Sequence, residues 1–547
     1  MLPVSLLVQR SLRPVLLAAS ALLVLTHCAR HESPVLIGDR EQSLEMGNQS
    51  EPSDLDPQTI STTADANLVM ALDEGLLAYE AKDLHPLPGV ADHWESSPDA
   101  KVWTFHLRPN AKWSNGDSVT ADDFVYSYRR MLSAKLGSEY AFMLFHLENG
   151  QAYYDGKIKD FSLVGAKAID SQTLVLTLWH PLPYLPNLVV HTSWYPVHRA
   201  TIEKFGAIDA RGTAWTRPGN FVGNGPFNLA DWKPHQVIRM TKSPTYWDQP
   251  AVKLQQLDFF PIEDETTEEA AFRAGQLHTT AQVPVDKIAA YKADPAGYLR
   301  QATSIATYYY RFNVTKPPLS DARVRRALSL AIDRAQLVER VAKGGQQPAG
   351  NLTPPGTGGF FSRTTMDLDV PQARRLLAEA GYPGGRGFPH VEILYNSSEQ
   401  HQKLAEAIQQ MWRKNLGVEV GLYNQEGKVW VDSMRQGTYQ IARYGWFGDF
   451  LDPSTFLDLM TGDNTNNLTN WDNAEYDQLI KEARMAADNN ARYEYFQRCE
   501  QILAEQVPIM PLYFYERNTL VRPEVHGWYD NLLDIHPLKA IYLTEPK

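Results

Sequence analysis

Val391-Glu392-Ile393-Leu394-Tyr395-Asn396 is a β-branched and aromatic run, and the next fifty residues decide how the chain folds. Gln400 to Asn415 follows with Leu404, Ile408, Met411 and Trp412 at helical spacing, and Gly417 closes that helix. Val418 to Tyr423 reads as a second strand, Lys428 to Arg435 as a short helix, and Tyr439 to Trp446 as a third strand. Strand, helix, strand, helix, strand in this order predicts a parallel sheet with crossover helices. Ligands in such sheets sit beyond the carboxyl ends of the strands. Asn396, His401, Asn424 and Asp449 fall at or just past those ends.

Outward from this unit, Arg325 to Lys343 reads as one amphipathic helix, capped by Ser320 or Asp321 and stopped by Gly344-Gly345. Upstream, Val102 to Leu107 reads as a strand, Asn115-Gly116-Asp117 as a turn, and Thr120 with Asp123 as the start of a helix. Ala349 to Asp367 and Gly384 to Pro389 read as surface loops. A chain of 547 residues exceeds what one core supports, so two lobes or more are expected.

A net charge of -12 argues against nucleic acid as a partner. Arg10 and Arg13 precede a twelve-residue apolar run, Val15 to Thr26, which reads as an export signal spanning 1–28. Leu25-Thr26-His27-Cys28 resembles a bacterial lipoprotein acceptor, except that His27 stands where a small residue is expected; the alternative is ordinary signal cleavage nearby. The other cysteine, Cys499, reads as a lone thiol on a helix. No Gly-x-Ser-x-Gly elbow, phosphate loop or His-Glu-x-x-His occurs, and the fifteen histidines are dispersed, so neither a reaction, a metal nor a cofactor is expected. Glu263, Asp264, Glu265, Glu268 and Glu269 read as a solvated acidic start to a helix.

Three segments resemble a known family. Phe105-His106-Leu107-Arg108-Pro109-Asn110 through Asn115-Gly116-Asp117 to Asp123-Phe124 resembles the signature of the peptide/nickel-type solute-binding proteins (family 5) of bacterial ABC importers. Ser320 to Leu328 with Ile332-Asp333-Arg334 matches a second hallmark. Tyr395-Asn396 to His401, Gln436-Gly437-Thr438 and Gly445-Trp446 to Asp449 are similar to the oligopeptide-binding branch. The resemblance implies an α/β, periplasmic-binding-protein-like two-lobe fold of type II, with three domains and a hinge. Lobe 1 would be 33–75, 200–305 and 517–547, with 76–199 an inserted domain packed on it, and lobe 2 would be 306–516. Hinges are expected near Thr307 to Arg311 and Tyr513 to Arg517.

The resemblance further implies an extended peptide held through its backbone like an added strand. Asp449 matches the position that meets the peptide's ammonium, with a turn aspartate as the alternative reading. Arg443 matches one that can meet a carboxylate, with an internal ion pair as its alternative, and His401 one near the far end. Asn396, Gly445, Trp446, Tyr309, Tyr140, Asn224, Ser61 and Tyr513 complete the expected ligand-binding set. Ser61 replaces an acid typical of the branch, Gly427 a cleft tryptophan, and Ala306 and Phe447 stand where some members carry a disulfide. The function implied is an exported, monomeric periplasmic or envelope protein, anchored by lipid if Cys28 is modified, that delivers oligopeptides to permease subunits in the inner membrane. The alternatives are the same fold for a murein peptide, nickel chelate, haem or sugar, and a sensor or chaperone that works without a transporter.

Overall fold

A computed structural model describes residues 32–545 apart from 61, 426, 463, 465 and 487. The strand–helix unit that decided the sequence reading lies in its largest sheet. In chain order the strands are β1 (Leu299–Phe312), β2 (Gln347–Pro348), β3 (Glu392–Asn396), β4 (Gly421–Gln425), β5 (Ile441–Phe447) and β6 (Ile509–Leu520). They lie side by side as β2-β6-β1-β5-β3-β4. Both β4 and β5 run parallel to β3, so α1 (Glu399–Leu416) and α2 (Gly427–Arg435) are its crossovers. Ser398 caps α1, accepting from the His401 N–H, and Gly417 ends it at φ 70°. Leu404, Ile408 and Trp412 are fully buried against the sheet, each contributing roughly 1.5–3 kcal/mol. Val418 and Val420, expected inside the second strand, are buried in the same core just before β4 begins.

The helix expected over Arg325 to Lys343 is divided. Ala322–Leu330 forms one helix, capped by Asp321, and Arg334–Leu337 begins another. The cause is Asp333, whose side chain accepts from the Gln336 N–H at 2.9 Å and opens a new first turn. The acidic start at 263–269 also differs from expectation. Asp264 caps the helix in solvent, but Glu268 is fully buried and accepts from the Ala281 and Gln282 N–H groups. Burial pushes its carboxyl up to about 7.

Two smaller sheets have cores of their own. One orders Ser43–Gly47, Gln256–Phe260, Val237–Lys242 and Phe227–Lys233, over Leu44, Phe227, Leu257 and Ile541. The other orders Ala91–Ser96, Val102–Leu107, Thr173–Thr177 and Ala166–Asp170, over Phe105, Trp113, Phe124 and Trp194. There Asp123 accepts from the Thr120 N–H at 2.8 Å, as the sequence predicts.

The long strands β1 and β6 join the halves of the molecule. Leu299 to Thr303 pairs with Glu516 to Leu520, and Thr307 to Arg311 pairs with Ile509 to Phe514, with a register shift between. Thr307 to Arg311, expected as a hinge, is buried and paired on both edges. Two irregular steps interrupt the pairing with β6, one over Ser304 to Ala306 just before that segment and one between Tyr308 and Tyr309 within it. Among the described residues no helix is long and apolar enough to cross a membrane.

Candidate functional site

Three cavities follow one another along the seam between the halves. The first, about 470 Å³, lies between Gly47, Thr280 and Trp528 on one side and Phe447 and Tyr515 on the other. It shares Thr63, Asn67, Met70, Ser304, Phe447 and Arg517 with the second, of about 270 Å³. The second shares Tyr140 and Asp449 with a third, of about 460 Å³. Strand β5 borders all three, and its own ladder explains why a ligand can approach it.

In an antiparallel pair alternate residues turn their amide groups toward the partner. The Gly448 N–H donates to the Ile305 C=O at 2.7 Å, which fixes the phase of the β1–β5 ladder. Arg443, Gly445 and Phe447 therefore aim their N–H and C=O groups away from β1. On that side β3 meets β5 only at Ile393–Ile441 and Leu394–Ala442 and then diverges. Among the described residues no strand pairs with that edge at Gly445 and Phe447, and Phe447 lines the first two cavities. At Gly445 an added Cβ would come within 3.0 Å of the Tyr515 hydroxyl, so a side chain there would push that ring away.

The two ends of this edge carry opposite charge. At one end Arg443 donates to the Tyr515 hydroxyl (3.1 Å) and to Asn396 Oδ1 (3.4 Å), and lies 4.9 Å over the Tyr308 ring. No carboxylate pairs with it among the described residues, and its Nε is buried without an acceptor. Tyr308 also meets His401 Nδ1 at 3.3 Å and stacks on Tyr513 at 4.6 Å. Burial, helped by the Arg443 charge, pulls the His401 imidazole down to about 4, so it is neutral at pH 7. Asn396, His401, Arg443 and Tyr513 thus belong to one network, and none of the four lines the three cavities.

At the other end stands Asp449. Its backbone N–H donates to Thr455 Oγ1 at 3.0 Å, but among the described residues no hydrogen bond or ion pair reaches its carboxylate. Burial alone pushes that carboxyl up to about 6. The neighbouring Asp452 behaves differently. It is buried in a two-bonded pair with Arg492 (2.9 and 3.1 Å) and accepts from the Ser454 N–H. Asp452 serves the fold, which leaves Asp449 unspent.

The remaining predicted residues separate. Tyr140 and Trp446 line the third cavity, with Tyr140 reaching the second. Tyr309 does not face the cleft: strand alternation turns it to the opposite side from Tyr308, into a core with Phe456 and Tyr476, against Tyr444. Asn224 is a buried brace, exchanging two hydrogen bonds with the Glu74 backbone. Ser61 and Cys28 lie outside the described residues. Ala306 and Phe447 sit directly opposite each other across β1 and β5.

Sequence reasoning missed Thr63, Asn67 and Met70, three cleft residues on the helix Thr63–Leu72. Their spacing of four and three, which puts Thr63, Asn67 and Met70 on one face of the helix, was the available signal. It also missed Arg517, which lines two cavities and pairs with Asp534 at 2.6 Å.

Two lobes, a seam of cavities and a free strand edge define a solute-binding protein. The family model for bacterial extracellular solute-binding proteins, family 5 (middle region), matches residues 85–467, and the chain belongs to that family. It is 38% identical over 512 residues to the periplasmic oligopeptide-binding protein OppA of Salmonella typhimurium, covering 92% of each chain. Among solved structures, the unliganded open form of the periplasmic murein tripeptide-binding protein MppA (from Escherichia coli) superposes with a TM-score of 0.82 at 36% identity, covering 92% of this chain and 97% of that one. The Haemophilus influenzae OppA complex with RPPGFSPFR gives 0.73 at 33% identity, covering 92% and 99%.

Proposed function

We propose that this chain captures oligopeptides between its lobes, holding the backbone on the edge of β5, the ammonium at Asp449 and a carboxylate toward Arg443 and His401, and catalyses no reaction. The observation that carries this is one free strand edge flanked by an unpaired carboxylate and an arginine without a carboxylate partner. A peptide is a strand with a cation at one end and an anion at the other. Main-chain recognition suits many side chains, because every peptide offers the same groups.

The same proposal assigns lobe 1 to 33–75, 200–305 and 517–547, with 76–199 inserted, and lobe 2 to 306–516. Separate hydrophobic cores on the three sheets support that division. Bending at Ser304 to Ala306 would close the cleft, and the higher TM-score to an open relative fits an open state here. Delivery to a permease in the inner membrane, export, a monomeric state and a lipid at Cys28 complete the reading.

Native mass spectrometry of the purified protein, followed by small-angle scattering with a defined tripeptide pool, tests it. A co-purifying peptide mass, compaction on peptide addition and a raised melting temperature are expected. A bound haem, sugar or metal chelate, with no compaction by any peptide, would overturn it.

A further inference from the structure

The sheet that orders Ala91–Ser96, Val102–Leu107, Thr173–Thr177 and Ala166–Asp170 has one face on its core and one toward solvent. Along Val102–Leu107 the alternation is regular: Trp103, Phe105 and Leu107 are buried, and His106 turns outward between the last two. On Ala91–Ser96 an unbroken alternation would send Asp92 and His93 to opposite faces. The ladder slips there instead. Ala91 pairs with Leu107 and His93 with His106, which leaves Asp92 as a bulge. With Ala91 buried, Asp92, His93 and Glu95 are all exposed. Two histidines that stand thirteen positions apart in the chain thereby become cross-strand neighbours.

Their rings stack at 4.2 Å with 10° between the planes. His93 Nδ1–H donates to Asp92 Oδ1, so the proton sits on Nδ1 and the Nε2 lone pair is left without a partner among the described residues. His106 makes no hydrogen bond among the described residues, and its Nε2 lies 3.8 Å from Glu95 Oε1. The His93 and Glu95 side chains are 65% and 73% exposed, so an ion can reach them from solvent. A carboxylate on the far nitrogen of an imidazole is the arrangement that fixes the tautomer and orientation of metal-binding histidines. Bonds of about 2.0–2.1 Å at a tetrahedral angle put two coordinating nitrogens roughly 3.3 Å apart. Small turns of two rings already stacked at 4.2 Å bring their nitrogens to that span.

We propose that His93 and His106 form a surface site for a divalent transition-metal ion such as zinc. Both Nε2 atoms would be ligands, Glu95 would swing in as the third, water would complete the shell, and Asp92 would hold His93 in place. Two imidazoles with one carboxylate suit zinc, copper or nickel rather than calcium or magnesium, which take oxygen ligands. None of the four residues lines the cavities of the seam, so the ion is held apart from the peptide. Glu80, Asp83 and His85 also lie together, but there the carboxylates accept from the N–H groups of Lys82, Asp83 and His85 and serve the turn.

Zinc titrated by calorimetry into the metal-stripped protein tests this, with His93→Asn, His106→Asn, Asp92→Asn and His85→Asn alongside. The wild type should show one saturable site, and zinc should raise its melting temperature. His93→Asn and His106→Asn should each weaken zinc by about tenfold or more, and so should Asp92→Asn, which keeps both rings and serves if a histidine variant proves unstable. His85→Asn should change nothing. Peptide affinity and the zinc-free melting temperature should match the wild type in all four, which separates loss of a ligand from damage to the sheet. No saturable zinc binding, or binding that survives His93→Asn and His106→Asn, overturns the site, and loss in His85→Asn alone moves the ion to the turn at Glu80 and overturns it equally.

Discussion

Asp449→Asn should make the empty protein more stable and the binding protein worse. The carboxyl stands near 6 because burial raises it, against about 3.9 for an unperturbed aspartate. A group raised on folding binds protons more tightly when folded, so ionising it costs stability. That cost grows as pH rises from about 4 to 6 and is constant above. Two pKa units correspond to on the order of 2–3 kcal/mol at pH 7.5. Asparagine keeps the shape without the charge, so the variant's denaturation midpoint should exceed the wild type's at pH 7.5, and the two should converge near pH 4.

Ligand affinity should move the other way. Removing one partner of a buried charge pair costs about 2–5 kcal/mol, which is roughly 30-fold or more in Kd. Unblocked peptides should lose that factor in the variant. N-acetylated peptides should bind the wild type poorly and lose far less. The bound ammonium must draw the Asp449 carboxyl back down, so wild-type affinity should fall as pH drops through 6, by up to about tenfold per unit, and the variant's should not. Calorimetry on both proteins with both peptide forms, at pH 7.5 and 5, supplies the cycle. A variant that is less stable when empty, or that binds free and acetylated peptides just as the wild type does, makes Asp449 a turn aspartate and moves the anchor elsewhere.

Two further outcomes are open to direct measurement. Ala306→Cys with Phe447→Cys should oxidise to a bridge, because the pair is opposite and non-hydrogen-bonded, where Cα atoms lie about 4.5 Å apart; two persistent free thiols on titration would mean that the register is wrong. Mass spectrometry of the mature N-terminus should find Cys28 first and lipid-modified, and an unmodified terminus downstream of Cys28 would make the protein a freely diffusing one.

What the sequence made legible was whatever depended on local period and order. The crossover unit, the cap at Thr120 and the strand-end position of Asp449 follow from residue spacing alone, because neighbours in the chain impose them. The break at Asp333 was less visible: an aspartate inside an apolar stripe reads as an exposed position until its side chain turns back to the Gln336 N–H. Tyr309 shows a second limit. Three tyrosines in a row on β1 look alike, yet the pleat sends Tyr308 to Arg443 and Tyr309 into the opposite core, and only the pairing with β5 fixes which is which.

The two residues at the ends of β5 show why the rest was hidden. Asp449 and Asp452 are three positions apart, and both follow the same strand. Which one is free depends on Arg492, forty residues along the chain, whose guanidinium is committed to Asp452. Had Arg492 turned to Asp449 instead, the cleft would hold a spent carboxylate and no site for an ammonium. The same argument covers Arg443, which stays available because its neighbours are tyrosine hydroxyls, an amide and a neutral imidazole rather than acids. A binding end is therefore defined by the partner it lacks, and partners arrive from distant parts of the chain. Supplying one artificially should abolish function without touching the ligand's contacts: a carboxylate placed beside Arg443, as in Asn396→Asp, should pair with it internally and weaken peptides that reach that end.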